Sequence, residues 1–570
     1  MAEALMVMGT GSGAGKSAIV AGLCRIFRDM GIKVAPFKSQ NMALNSFITK
    51  EGGEIGRAQA FQAEAAGLEP CNDMNPVLLK ATGEAGSQVI LNGKVHATMR
   101  ADEYYAIKDK VWEEITSAYD RLSKQYDLIV IEGAGSPAEI NLRKEEVVNM
   151  RVARYADAPV ILVGDIDRGG VFASFYGTVE LLKDCVGAIP CGCPGQAQRP
   201  APTARGELQR SDADYIKAFI VNKFRGDMNI LRPGLRLIGD KTGKPVIGTL
   251  YYQGNLGLDE EDGLSIEKFV RFNQSGHKNI KIVILRLKYI SNFTDFAPFL
   301  YEPDVELKYS LWKEDINSAD LIIIPGSKNT VSDLILLRES GVEDCVKAAV
   351  KKGTTLAGIC GGYQLLGKKI FDPHAVESSM KEVDGMGLLD TVTTLDKTKT
   401  TCQVSANIVS SKWSDVLQSA SGCRWNHLKG YEIHMGKTTG DVGLFKVRRR
   451  MGEREAGRDE DGTVNGCSFA DSPAHRLTSS EILDGSAKEN VWGTYIHGIF
   501  DNDGLRTALL NSLRKMKGIP LQEGSFSYQA KREEAMNSWA RTVQNGVDIC
   551  FILRQVGMEC CMKKLREDRV

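Results

Sequence analysis

Short runs with strand character alternate with helical spacing along most of this chain. Ala4 to Met8, Lys33 to Phe37, Asp127 to Ile131, Pro159 to Val163 and Phe219 to Asn222 each read as a strand. A strand covered on both faces carries apolar residues at consecutive positions, and these runs do so over most of their length. Ala18 to Arg28 and the stretch from Gly56 to Ala66 show helical spacing between them. Further on, Ile280 to Leu285, Leu321 to Ile324 and Thr354 to Ile359 repeat the strand pattern, and a helix opens at Tyr363-Gln364-Leu365-Leu366. Strands alternating with helices predict parallel α/β sheets, whose ligands sit beyond the carboxyl ends of the strands. The pattern gives an α/β domain over 1–263, a second over 279–520 and a helical tail over 521–570. Two polar stretches, 190–210 and 448–486, cannot bury a core and read as exposed insertions.

Composition narrows the function classes. The 570 residues are enough for about two to four domains. The 72 basic and 72 acidic residues balance to a formal charge of +0, so nothing points to nucleic acid or an anionic membrane as partner. No apolar run approaches the ~18 residues that a spanning helix needs. The 13 cysteines are scattered, and no basic segment precedes the first strand, so a cytoplasmic location is expected. Cys191-Gly192-Cys193 and Cys560-Cys561 are isolated and read as free thiols. Oligomeric state is not encoded in any of this.

Candidate chemistry begins at the end of the first strand. Gly9-Thr10-Gly11-Ser12-Gly13-Ala14-Gly15-Lys16-Ser17 places four glycines, a lysine and a hydroxyl between a strand and a helix. Glycines let backbone N–H groups close on an anion, Lys16 follows the outer phosphates, and Ser17 is placed to ligate Mg²⁺. Five residues, not the usual four, separate Gly9 from Gly15. Other strand ends add polar groups to the same edge. Ser39, Gln40, Asn41 and Asn45 follow the second strand and are expected to face the nucleotide or its co-substrate. Glu132 ends the third and is the second Mg²⁺ candidate. Asp165, Asp167 and Arg168 follow the fourth, the acids suited to metal and the arginine to a carboxylate or phosphate. Asn222 and Lys223, at the fifth, are assigned with the glycine loop to the nucleotide.

The second domain carries a nucleophile. In Gly358-Ile359-Cys360-Gly361-Gly362 a strand turns sharply into a helix, the layout of a nucleophile elbow with sulfur in place of oxygen. The helix N-terminus favours a thiolate. Backbone N–H groups of Gly361 and of the Gly326-Ser327 turn are candidates for an oxyanion hole. A cysteine nucleophile needs a base, and His497, after a short apolar strand, is the choice; His434 is the rival. Two positions after His497 stands Ile499, so no orienting acid is visible there.

A nucleotide loop joined to a thiol elbow suggests ATP-driven amide transfer with ammonia released from glutamine. Longer runs sharpen this: Pro36 to Ser46, Asp73-Met74-Asn75-Pro76, Glu132 to Leu142, Asp165 to Gly170, Asn222 to Asp227, Tyr431 to Gly436 and Gly493 to Gly498. In this order they resemble the cobyric acid synthase family over nearly the whole chain, the insertions and the last few tens of residues excepted. The resemblance implies an N-terminal P-loop domain similar to dethiobiotin synthetase and a C-terminal class I glutamine amidotransferase-like domain. It implies ATP, Mg²⁺ and glutamine as reactants or cofactors, with Cys360 as glutaminase nucleophile and His497 as its partner. It implies a corrinoid substrate, adenosylcobyrinic acid a,c-diamide, amidated on its b, d, e and g carboxylates. The family generally lacks a third acid after that histidine, and Gly11 and Gly13 stand where its members usually have Thr and Asp. Two other readings compete. The sister a,c-diamide synthase carries a Gly-Pro-Asp type sequence where this chain has Ser39-Gln40-Asn41. A partition or scaffold ATPase of the same P-loop group has no use for the Cys360 elbow.

Overall fold

The computed structural model describes residues 2–81, 86–142, 146–183, 210–254, 278–409, 427–450, 479–524 and 526–562. Six parallel strands form the first sheet in the order Val246–Tyr251, Ile216–Phe224, Val160–Asp165, Glu3–Gly9, Leu128–Glu132, Val34–Phe37. Glu3–Gly9 lies near the centre, so the glycine loop leaves a strand buried on both faces and enters the helix Lys16–Asp29. Gly15 has φ 97°, and a Cβ there would run into the Asn222 side chain. Only glycine fits that position.

The second domain has its own sheet. Val305–Ser310, Ile280–Leu285, Leu321–Ile324, Thr355–Ile359 and Val491–Thr494 run parallel, and Ser486–Lys488 adds an antiparallel edge. A second, mostly antiparallel sheet pairs Thr391–Ile408 with Leu428–Gly440 and with Phe445–Arg450. The stretch expected to be an insertion over 448–486 is structured at its flanks, where Phe445–Arg450 pairs with Ser479–Asp484. Its middle, 451–478, and nearly all of 190–210 lie outside the described residues, as do Cys191, Cys193 and the first domain boundary. Among the described residues no helix is long and apolar enough to cross a membrane.

The tail returns to the first domain. Helix Tyr528–Gly546 packs on Lys16–Asp29, with Met536, Trp539, Ala540 and Val543 buried in one cluster with Ile19, Leu23 and Phe27. Trp539 Nε1 donates to Ala18 O at 2.6 Å. The helix behind the glycine loop is thus covered by residues more than 500 positions away in sequence, a contact no local pattern announces.

The two domains meet along the hairpin Ser46–Ile48/Glu54–Gly56, which lies against the long strands of the second domain. Thr401 Oγ1 donates to Gly52 O at 2.8 Å and Gln403 Nε2 to Ile48 O at 3.1 Å. At the centre Glu54, almost fully buried, accepts from Lys80 Nζ at 2.6 Å and from Lys399 Nζ of the other domain. Burial favours the neutral acid, but the two ammonium groups more than offset it and hold Glu54 well below the usual carboxylate range. Glu54→Gln would leave two cations without a counter-charge, so stability should fall by about 3 kcal/mol at neutral pH. Because the folded-state pKa is depressed, that contribution is present above about pH 4 and vanishes as the acid protonates below it. Urea unfolding of both proteins at pH 7 measures the difference; equal midpoints would remove the assignment.

Candidate functional site

The nucleotide edge is a polar cage around Glu132. Its Oε1 accepts from Ser17 Oγ at 2.7 Å and from Lys38 Nζ at 3.1 Å, and its Oε2 from Gln62 Nε2 and, at 3.4 Å, Gln59 Nε2. Burial favours the neutral acid; Lys38, the hydrogen bonds from Gln62 and Ser17, and Lys16 together outweigh it and lower the pKa. Glu132 is therefore an anion against the Ser17 hydroxyl, as a metal-side carboxylate must be. Lys16 Nζ folds onto the loop, donating to Gly11 O at 3.0 Å and Gly135 O at 3.3 Å.

Asn222 and Lys223 close the loop from the far side. Asn222 Nδ2 donates to Ala14 O at 2.9 Å and Lys223 Nζ to Gly13 O at 2.6 Å. Lys223 Nζ also pairs with Asp165 Oδ2 at 2.7 Å, so Asp165 is engaged by a cation, and Asp167 pairs with Arg225 at 3.0 Å. Arg168 is mostly exposed beside the loop. Among the described residues no three His, Cys, Asp or Glu side chains gather into a metal centre. A Ser17–Glu132 pair nevertheless suits Mg²⁺, which takes one or two protein oxygens and fills its shell with phosphate and water.

The residues after the second strand divide. Gln40 is half-buried and accepts from Tyr104 OH, and Asn41 Nδ2 reaches Gln59 Oε1 at 2.8 Å, one residue removed from Glu132. Ser39 is buried and donates to Val147 O at 2.8 Å. Asn45 is buried against the second domain, where its Oδ1 accepts from Phe293 N at 3.2 Å.

In the second domain Cys360 stands between strand Thr355–Ile359 and helix Gly361–Leu366 with φ 54° and ψ −109°. A Cβ on Gly362 would run into Ile324 O, and one on Gly358 would lie 2.7 Å from Gly362 O. The small neighbours are what allow so tight a turn. His497 sits next to Gly326, and Gly361, which follows Cys360 in the chain, lies against Ser327. His434 is a poor base. Its ring stacks on Tyr495 at 3.7 Å and burial pushes its pKa down to about 4.

The missing acid comes from elsewhere in the chain. Asp295 Oδ2 accepts from His497 Nδ1 at 2.6 Å, across 202 positions of sequence. It sits in the one-turn-per-three helix Phe293–Tyr301, which no periodicity singled out. Burial opposes the imidazolium, but Asp295 and the neighbouring Cys360 outweigh it and raise His497 to about 10. With Nδ1 committed to Asp295, Nε2 is the ring nitrogen left to serve the thiol.

A Cys–His–Asp constellation on an elbow, sharing a chain with a P-loop site, defines a glutamine-dependent amidotransferase of two α/β domains. Residues 281–505 match the CobB/CobQ-like glutamine amidotransferase domain, and 5–266 match the CobQ/CobB/MinD/ParA nucleotide binding domain. The chain is 45% identical to the cobyric acid synthase of Thermodesulfovibrio yellowstonii over 98% of its own length and 100% of that protein. It is 43% identical to that of Salmonella heidelberg (96% and 97%) and 41% identical to that of Dehalococcoides mccartyi (96% and 98%). The chain belongs to the cobyric acid synthase family.

Proposed function

We propose that this enzyme forms cobyric acid by amidating the b, d, e and g carboxylates of adenosylcobyrinic acid a,c-diamide, with ATP as activator and glutamine as nitrogen donor. The observation that carries the reading is the joining of the Ser17–Glu132 loop site and the Cys360–His497–Asp295 site in one chain that is alike to cobyric acid synthases from end to end. In the second domain the Cys360 sulfur attacks the glutamine carboxamide. His497 gives its proton to the departing nitrogen, releasing ammonia and a thioester that water then cleaves to glutamate. In the first domain a substrate carboxylate oxygen attacks the γ-phosphorus of ATP and ADP leaves. Ammonia then attacks the acyl carbon, and phosphate carries away the oxygen that a bare carboxylate could not release. Lys16 and the loop N–H groups follow the phosphates through this transfer. Ser17 and Glu132 are the residues that would hold Mg²⁺, which shields phosphate charge when bound. The location we assign is the cytoplasm, in keeping with the free cysteines.

Oxygen-18 placed in the substrate carboxylates tests the route. The label should appear in released phosphate, with one ADP formed per amide; label kept wholly in the product, or AMP among the products, would exclude an acyl phosphate. Glu132→Gln removes the anion beside Ser17, so the Mg²⁺ concentration needed for half-maximal synthesis should rise about ten- to a hundredfold. Titrating Mg²⁺ with ammonia as donor reads this without involving the glutaminase, and an unchanged curve would take Glu132 out of the metal site.

A further inference from the structure

The acid that orients His497 is held by the other domain. Asp295 lies at the start of helix Phe293–Tyr301, and the residue before that helix, Asn292, has φ 51°. Asparagine takes the left-handed region more readily than other side-chain-bearing residues, and hydrogen bonds then hold the turn in one geometry. Here two hydrogen bonds from the nucleotide domain do so, both across the interface. Ser46 N donates to Asn292 Oδ1 at 3.1 Å, and Phe293 N donates to Asn45 Oδ1 at 3.2 Å. Asn292 in turn donates through Nδ2 to Tyr431 OH at 3.2 Å and lies 3.5 Å from His497 Nδ1. Tyr431 stacks on the His497 ring with centroids 5.3 Å apart, and its hydroxyl reaches back to Ser46 O at 3.3 Å. All five side chains are buried, so none of these contacts is shared with bulk water. On the other side, only Met42, Ala43 and Leu44 separate Asn45 and Ser46 from Lys38 to Asn41, the segment that touches Glu132 and its partners.

From this we infer that Asn45 and Ser46 of the nucleotide domain are positioning residues for the glutaminase: they hold the Asn292–Asp295 turn, and through it the His497 ring, in register with Cys360. The thiol site is then complete only while the segment leading out of the nucleotide crevice is seated against the second domain. Occupation of that crevice by ATP and corrinoid, which bears on Lys38 to Asn41, is transmitted along the chain to Asn45 and Ser46. Glutamine is consumed when an acceptor is in place. The inference rests on the glutaminase reading of Cys360, and it gives the interface hydrogen bonds a part in that reaction.

Asn45 is the residue to change, because its acceptor role is made by a side chain and it lies in the domain that does not contain the thiol. Asn45→Ala removes the acceptor for Phe293 N; Asn45→Asp keeps an oxygen there. In the full-length enzyme, glutamate release should be followed with saturating ATP, Mg²⁺ and corrinoid, and again with none of them. With Asn45→Ala, kcat for glutamine hydrolysis should fall about ten- to a hundredfold, since displacements of an ångström in a catalytic group cost that much, while KM for glutamine changes little. The stimulation by ATP and corrinoid should shrink in parallel. Asn45→Asp should restore both. Thermal unfolding of each variant separates this from a loss of folded protein, and if Asn45→Ala does not fold, Asn45→Asp and Asn45→Ser are compared instead. A folded Asn45→Ala with wild-type kcat and stimulation overturns the inference, as does failure of Asn45→Asp to recover either. A wild-type enzyme that releases no glutamate overturns the glutaminase reading itself, which is a different result.

Discussion

Serine in place of Cys360 should stop glutamine-driven amide formation while ammonia-driven formation continues. The sulfur sits on a backbone bend with φ 54° that only small neighbours permit, beside a histidine kept cationic by Asp295. An alkoxide is far harder to form there than a thiolate, so hydrolysis of glutamine should drop by at least about a thousandfold. Ammonia supplied from solution bypasses that step. It needs only the loop site, whose parts, from Lys16 and Ser17 to Glu132 and Lys223, belong to the other domain. Amide formation should be followed by product mass with each nitrogen donor at matched ATP and Mg²⁺. Equal loss with both donors would mean that the two half-reactions do not occupy separate sites.

Asp295→Asn should lower glutamine hydrolysis by about 10³- to 10⁴-fold with little change in fold. A carboxamide is nearly the same shape as the acid, but it carries no charge to stabilise an imidazolium, and its NH2 can face Nδ1 and select the wrong tautomer. The ring then loses its main counter-charge and the lock on its tautomer. A pH profile adds a signed test. In the wild type His497 is raised to about 10, so the proton needed by departing ammonia is available until the pH approaches that value. Removing the Asp295 carboxylate lowers the histidine pKa, and the alkaline limb of kcat/KM should move to lower pH. Cys360 also raises His497, so part of the shift from the ordinary value of about 6.5 should remain. An alkaline limb that stays in place would show that Asp295 does not govern the ring.

The consecutive apolar positions and the glycines between them determined much of this protein from sequence alone. A strand buried on both faces needs apolar residues throughout, so Ala4 to Met8 and Thr354 to Ile359 could be placed, and with them the loop to Ser17 and the Cys360 elbow. Both are local: each is one strand, one turn and one helix, contiguous in the chain. Glu132 and His497 were legible for the same reason, as polar residues where an apolar strand stops. Asp295 was not, because it acts from a short irregular helix 202 positions from its histidine. Nor was the partner of Asn45, whose Oδ1 accepts from a backbone N–H 248 positions away in the other domain. The helix Tyr528–Gly546 carried an apolar face, but nothing in it named Lys16–Asp29 as the surface it would cover. The pattern of a segment states which face must be buried. Which distant segment buries it, and which buried acid meets which base, is decided only when the sheets have packed, since those pairings are selected by shape and by the cost of leaving a polar group without a partner.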